Sequence, residues 1–90
     1  MDSEILKKVI EIVADKNDMK VENVLPESRL REDLGVDSLD QVEMVMEIED
    51  AFSVKFEDAE MEKIVTVQDA VELVEKKMKG WNSDKKYNLN

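Results

Sequence analysis

Helix-breaking residues are scarce in this chain: its 90 residues include two glycines and one proline. Because glycine and proline end helices and form turns, their scarcity favours long helical segments, as does the content of Glu, Lys, Val and Met. A chain of this length forms one domain with a modest core. The sequence therefore predicts a single all-α domain whose helices are interrupted at few points.

Cysteine and histidine are both absent. The chain consequently offers no disulfide, no thiolate nucleophile, no imidazole base and no Cys or His ligand for zinc. A Ser-His-Asp triad is excluded for the same reason. Neighbouring carboxylates such as Glu47 and Asp50 could in principle perform acid–base catalysis, but nothing in the pattern buries them. No calcium-loop pattern occurs either. The sequence predicts a protein that is not an enzyme and holds no metal.

The formal net charge is −10, from 23 acidic and 13 basic residues. Such a charge repels nucleic acids and anionic membranes, and it attracts basic protein surfaces over long range. Composition alone leaves open whether the acidity serves such partners or only solubility. The amino-terminal segment has no long apolar run, so it predicts neither a signal peptide nor a membrane span. We expect a cytoplasmic protein, or one in an organelle stroma or matrix if a transit peptide has been removed.

Two helices separated by a long loop are predicted in the first half of the chain. Ser3 caps the first helix, which ends at Asn17 and Asp18. Asp37 caps the second, which runs from about Ser38 to Ala51 or Phe52. Loops as long as residues 17–37 are usually functional or disordered. Apolar anchors favour an ordered loop pinned to the core, namely Val21, Val24, Leu25, Leu30 and Leu34.

The second half predicts a short helix near residues 58–63 and a longer last helix. Thr66 starts the last helix, with Asp69 as its capping partner, and Gly80 stops it. The apolar face of this helix comprises Val67, Ala70, Val71, Val74 and Met78. Residues 80–90 are polar and aperiodic, which predicts a flexible polar tail beyond a domain over residues 1–79.

The second helix carries two apolar stripes rather than the one that a surface helix needs. One stripe is expected to join the core and contains Met44, Val45, Ile48, Ala51 and Phe52. The other, on the opposite side, contains Leu39, Val42 and Met46, and acids surround it. It is either an exposed recognition patch for a basic partner or one side of a helix that is buried on both sides.

The segment around Ser38 resembles the prosthetic-group site of acyl carrier proteins: Gly35-Val36-Asp37-Ser38-Leu39-Asp40. A lone Asp-Ser-Leu is a weak signal, because three residues recur by chance. The resemblance continues through DLGVDSLDQVEMVMEIEDAFSVKF and MEKIVTVQDAVELV, in order and spacing, and covers residues 3–78. The pattern is similar to that of discrete bacterial carriers of fatty acid synthesis.

The resemblance implies a four-helix bundle with three longer helices, one short helix and a long loop between the first two. It implies that Ser38, flanked by Asp37 and Leu39, carries 4′-phosphopantetheine from coenzyme A, added by a phosphopantetheinyl transferase. Acyl groups would travel as thioesters on this arm to fatty acid synthesis enzymes. A monomer is expected on the same ground. The chain has no thiol of its own, which agrees with a thiol supplied by an attached group.

Two further residue sets are implied by the resemblance. The partner-docking surface comprises Asp37, Leu39, Asp40, Val42, Glu43, Met46, Glu47, Glu49, Asp58 and Glu62. The acyl pocket comprises Met44, Val45, Ile48, Phe52, Met61, Ile64 and Ala70, unless these residues are plain core. The chain has Phe56-Glu57 where many relatives have Ile-Pro, so the start of the short helix is expected to be less fixed.

The sequence leaves open two alternatives to the fatty acid carrier. One is a carrier for polyketide, amino-acid or specialised-lipid synthesis. The other is a non-catalytic acidic docking module in a larger assembly, with Ser38 unmodified or modified only for anchoring.

Overall fold

The computed structural model of the chain describes the backbone of residues 3–88 and the side chains of residues 4–78. Over this part of the chain the helices are α1 (Ser3–Lys16), α2 (Ser38–Phe52), α3 (Asp58–Glu62) and α4 (Val67–Asn88), and a 3-10 turn covers Val21–Asn23. The described residues contain no β-strand beyond an isolated bridge between Arg29 and Thr66. The predicted fold of three longer helices and one short helix is confirmed.

One apolar core holds the helices together. α1, α2 and α4 each contribute a buried stripe, because residues three and four apart share a helix face. The fully buried side chains include Val9, Val13, Met44, Val45, Ile48, Val67, Val71 and Val74. α2 therefore packs through Met44, Val45 and Ile48 of its first predicted stripe, with Phe52 partly buried, whereas Ala51 of the same predicted stripe is exposed. This packing determines which face of α2 stays in solvent.

The loop between α1 and α2 is ordered by backbone hydrogen bonds to the segment before α4. The Leu30 N–H donates to the Val65 carbonyl at 2.8 Å, and the Val67 N–H donates to the Ser28 carbonyl at 3.1 Å. Val24 and Leu30 are buried as predicted, and Leu34 packs partly against the core.

Two predicted loop anchors are wrong, since Val21 and Leu25 are about half exposed. Leu25 lies in a tight turn, where its N–H donates to the Ser28 hydroxyl at 3.0 Å. Val36 is instead the anchor nearest to α2, and it is buried. Backbone pairing, which apolar spacing does not reveal, decides which loop side chains face inward.

The predicted reciprocal cap of α4 is confirmed. The Asp69 N–H donates to the Thr66 hydroxyl at 3.1 Å, and the Thr66 N–H donates to the Asp69 carboxylate at 3.0 Å. These bonds satisfy two groups that a helix start would otherwise leave unpaired. Asn17 and Asp18 end α1 as predicted, with Asp18 at a positive φ of 57°.

The predicted end of α4 at Gly80 is wrong, because the helix continues to Asn88. A glycine inside a helix costs only about 1 kcal/mol, and each residue added to an existing helix gains a hydrogen bond. Met78 is 39 % exposed rather than part of the buried face. Val74 is the last described buried side chain of α4, so the helical turn that contains Met78 lies beyond the core. The side chains of residues 79–90 lie outside the described residues, and the flexibility predicted for residues 80–90 stays a prediction.

The start of α3 is fixed without the proline that many relatives have. The Glu60 carboxylate accepts from the Glu57 N–H at 2.8 Å and contacts Lys77 Nζ of α4 at 2.8 Å. The hydrogen bond from Glu57 and then the ion pair with Lys77 lower the pKa of Glu60. Phe56 is buried in the core just before the helix. α3 is thus tied to α4 by its first turn.

Gln41 is the one buried amide side chain of α2, at 8 % exposure. Its Nε2 donates to the buried carbonyl of Ile64 at 3.1 Å, and its Oε1 accepts from Arg31 Nε at 3.2 Å. Gln41 therefore links α2 to the loop on one side and to the α3–α4 connection on the other.

We predict that Gln41→Leu lowers the free energy of unfolding by about 1–3 kcal/mol, because it leaves the buried Ile64 carbonyl without a donor. Urea denaturation measures the change. Gln68→Leu is the matched control: the Gln68 side chain donates to the exposed Glu72 carboxylate, and its backbone bond to the Pro26 carbonyl is kept in the variant, so the loss should stay within about 0.5 kcal/mol. Equal losses in the two variants would contradict a structural role of the Gln41 bridge.

Candidate functional site

Ser38 is the first residue of α2, and its side chain is exposed. The chain turns at Gly35, whose φ is +72°, a conformation that suits glycine. Val36 then anchors the backbone, since its side chain is buried and its N–H donates to the Leu30 carbonyl at 2.9 Å. A turn followed by an anchor brings the next residues out to the surface, which leaves Ser38 accessible at the helix start.

Asp37 caps α2 as predicted. Its backbone is extended, with φ −87° and ψ 178°, and its carboxylate accepts from the Asp40 N–H at 2.8 Å. The remaining free N–H groups of the first turn and the helix dipole favour an anion beside Ser38. The nearby charges of Asp37 and Asp40 act against that anion. An exposed hydroxyl on a 15-residue helix is nevertheless a position where a phosphodiester fits without displacing any core side chain.

The second apolar stripe of α2 is exposed, and the alternative of a helix buried on both sides is wrong. Leu39 is 67 % exposed, Val42 49 % and Met46 55 %. Asp37, Glu43, Glu47, Asp58 and Glu62 from the predicted docking set are exposed as well, whereas Asp40 and Glu49 are partly buried. The structure therefore leaves the apolar stripe of α2 and most of the acids predicted around it at the surface.

Several acids of this face have partners within the protein, which the sequence pattern does not reveal. Lys16 Nζ lies 3.4 Å from Glu43 Oε1 and 3.3 Å from Glu47 Oε2. The Glu49 carboxylate accepts from the Phe56 N–H at 2.7 Å. A lysine in the last turn of α1 is favoured by the helix dipole, and this position is the only signal of Lys16 in the sequence.

The predicted acyl-pocket residues all belong to the common core. Met44, Val45, Ile48, Ile64 and Ala70 are buried, while Phe52 and Met61 are partly buried and packed against them. They are therefore core residues in the described structure, and an acyl chain among them requires the helices to part.

An open cleft of about 420 Å³ lies beside this core, where the loop, α2 and the α3–α4 connection meet. Its lining comprises Arg29, Arg31, Glu32, Gln41, Glu62, Ile64 and Val65. Ile64, the only predicted pocket residue among these, is buried, so the cleft touches the core through one apolar side chain. The sequence analysis did not predict this cleft, because the charged residues that line it come from distant segments of the chain.

The described residues contain no group of three His, Cys, Asp or Glu side chains arranged to hold a metal ion. No helix over this part of the chain is long and apolar enough to cross a membrane.

Residues 7–74 match the model of a protein family described as "Phosphopantetheine attachment site". An acyl carrier protein of Rubrobacter xylanophilus is 51 % identical over 71 residues, which cover 79 % of this chain and 88 % of that protein. One of Thermosynechococcus vestitus is 47 % identical over 76 residues, covering 84 % of this chain and 94 % of that protein.

Solved structures agree. The crystal structure of an acyl carrier protein from Thermotoga maritima aligns with a TM-score of 0.75 at 36 % identity, covering 87 % of this chain and 91 % of that one. The solved structure of an acyl carrier protein from Enterococcus faecalis aligns with a TM-score of 0.71 at 33 % identity, covering 83 % of this chain and 95 % of that one. The fold and the exposed serine thus define a carrier domain for a phosphopantetheine arm.

The chain belongs to the acyl carrier protein family. Its prosthetic group is covalently attached 4′-phosphopantetheine, on which acyl groups are carried. Proteins of this family are carriers rather than catalysts, and they interact with a phosphopantetheinyl transferase and with enzymes of fatty acid synthesis in general.

We predict that Asp37→Ala lowers the free energy of unfolding by about 1 kcal/mol, because it removes the acceptor for the Asp40 N–H. Asp37→Asn keeps an acceptor oxygen and should lose less than about 0.5 kcal/mol. Urea denaturation of both variants at one salt concentration measures the difference. An asparagine variant as unstable as the alanine variant would attribute the effect to charge and not to capping.

Proposed function

We propose that this protein carries acyl intermediates of fatty acid synthesis as thioesters on a 4′-phosphopantetheine arm attached to the hydroxyl of Ser38. The observation that carries the proposal is the position of Ser38, exposed at the first residue of α2 behind the Gly35 turn and the Val36 anchor. When bound, the arm supplies the thiol that the chain lacks. The protein has no catalytic role, and partner enzymes perform the reactions on the cargo.

Attachment is the transfer of a phosphopantetheinyl group from coenzyme A to the Ser38 hydroxyl. The Ser38 oxygen forms a bond to the phosphorus that bears the pantetheine, and the bond from that phosphorus to the adenosine part breaks. The hydroxyl proton passes to a base of the transferase, and adenosine 3′,5′-bisphosphate leaves. This chain contributes an exposed nucleophile and the positive end of a helix beside the new phosphodiester. Asp37 keeps that helix end ordered through its bond to the Asp40 N–H.

The docking surface proposed for partner enzymes is the exposed α2 stripe together with its acids. Leu39, Val42 and Met46 form an apolar centre, which is depleted of charge as interface centres are. Acids of α2 and α3 surround it and steer basic surfaces toward it. A tethered cargo then has a high effective concentration at the docked enzyme. The residues proposed for the acyl pocket are Met44, Val45, Ile48, Phe52, Met61, Ile64 and Ala70, as core that opens.

The proposed setting is the cytoplasm, or an organelle stroma or matrix, with the protein acting as a monomer. Pathway enzymes with basic docking patches are the proposed partners.

We predict that incubation with coenzyme A and a broad-specificity phosphopantetheinyl transferase adds one phosphopantetheine to the chain, measured by intact mass. Ser38→Ala should gain nothing while keeping its helical circular dichroism, because the side chain is exposed. Ser53→Gly is the matched control: it removes an exposed serine at the other end of α2, where φ is +56°, and should be loaded like the wild type.

Loading of Ser38→Ala would place the arm on another residue. A folded, initially unmodified wild type that gains no mass would favour the acidic docking module instead.

We predict that Met46→Gln raises the KM of the transferase for the protein roughly two- to tenfold, because it puts a polar group into the apolar centre of the docking surface. Its stability should change by less than about 0.5 kcal/mol, since Met46 is 55 % exposed. Val21→Gln is the control, because Val21 is 48 % exposed but lies in the 3-10 turn away from α2. Equal effects of the two substitutions on KM would exclude the stripe as the docking centre.

A further inference from the structure

Lys16 is the last residue of α1, and its ammonium group lies between two carboxylates of α2. The Nζ atom is 3.4 Å from Glu43 Oε1 and 3.3 Å from Glu47 Oε2. Glu43 and Glu47 are one helical turn apart, so they face the same direction. The Lys16 side chain is 30 % exposed, against 48 % and 47 % for the two carboxylates. Lys16 is therefore the most enclosed member of a three-charge cluster.

The Lys16 ammonium is well stabilised in this place. It lies at the carboxyl end of α1, where the helix dipole favours a cation. The pKa of Lys16 is raised above its usual value, first by the hydrogen bond to Glu47 and then by the charges of Glu47 and Glu43, although partial desolvation acts in the other direction. The cluster consequently keeps its positive member at neutral pH.

Glu43 and Glu47 flank the exposed stripe on the side of α1. At about 100° per residue, Glu43 follows Met46 around the helix by roughly 60° and Glu47 by roughly 100°. Two carboxylates alone would present a charge of −2 beside the stripe, and with Lys16 they present −1. A basic group of a partner that approaches this edge meets two carboxylates whose combined charge is already half neutralised by Lys16. One oxygen of Glu43 and one of Glu47 already contact the Lys16 ammonium.

We propose that Lys16 is an internal competitor for the cations of partner proteins: it holds Glu43 and Glu47 in the free protein and has to share or release them on docking. This inference rests on the proposed role of α2 as the docking surface. Competition of this kind favours partners that present arginine over those that present lysine. A guanidinium can pair with a carboxylate through two parallel hydrogen bonds, which a lysine ammonium cannot match.

The test compares Lys16→Gln with Lys7→Gln in the full chain, using the transferase KM for the protein as the readout. Both substitutions remove one positive charge from α1. Lys7 is exposed and nine residues away, which places it on the opposite face of the helix. At low ionic strength Lys16→Gln should lower KM roughly two- to fivefold and Lys7→Gln by less than about 1.5-fold. The difference should shrink at high salt, because screening weakens exposed charges.

Lys16→Arg keeps the competing charge, so its KM should be equal to or higher than that of the wild type. Circular dichroism verifies that all three variants are folded. An unchanged KM in Lys16→Gln, or equal decreases in Lys16→Gln and Lys7→Gln, would overturn the competitor role while loading of the wild type leaves the proposed function intact.

A wild type that is not loaded at all would defeat the proposed function and remove the KM readout. The competitor role is then tested by NMR titration with a synthetic amphipathic helix bearing arginines. Tighter binding to Lys16→Gln than to the wild type and Lys7→Gln, with shifts confined to α2, supports it. Equal affinities for all three proteins overturn it.

Discussion

A domain of this size has one apolar core, and that core can bury only one face of α2. Met44, Val45 and Ile48 occupy that face and belong to the core that α1 and α4 share. Leu39, Val42 and Met46 on the same helix must then remain in water, at the cost of keeping apolar surface hydrated. The exposed stripe, the acids around it and the accessible helix start that bears Ser38 all follow from the direction in which α2 is buried.

The long loop determines where α2 begins. Hydrogen bonds from residues 28–30 to residues 65–67 hold the middle of the loop against the start of α4, and Val36 closes it onto the core. Gly35 supplies the positive φ that turns the chain between Leu34 and Val36. Val36 before Ser38 and Gln41 after it both anchor the start of α2. Ser38 is therefore held in place although its own side chain is exposed. A fixed position of this kind suits the attachment point proposed for the arm, because a carrier must present its cargo to several enzymes.

The charge of the protein is less freely available than its net value of −10 suggests. Glu43 and Glu47 face Lys16, Glu49 accepts a backbone N–H, and Glu60 binds both Glu57 and Lys77. Some acids of α2 and α3 therefore join the helices to one another as well as contributing to the negative charge of the protein. The long-range field of the protein depends on the total charge, whereas the strength of contact at one edge of the stripe depends on which local partners a cation must displace.

The sequence by itself determined the class of fold, the bounds of α2, the caps at Asp37 and Thr66 and the position of Ser38, because caps, helical periodicity and a glycine turn are local properties of neighbouring residues. It also identified two stripes on α2 but left open whether the second was buried. Only the tertiary structure decided that question, turned Val21 and Leu25 outward and brought Lys16 to Glu43 and Glu47. These outcomes depend on which distant segments contact one another in the folded chain. Burial and long-range ion pairing arise from those contacts, and no local sequence pattern encodes them.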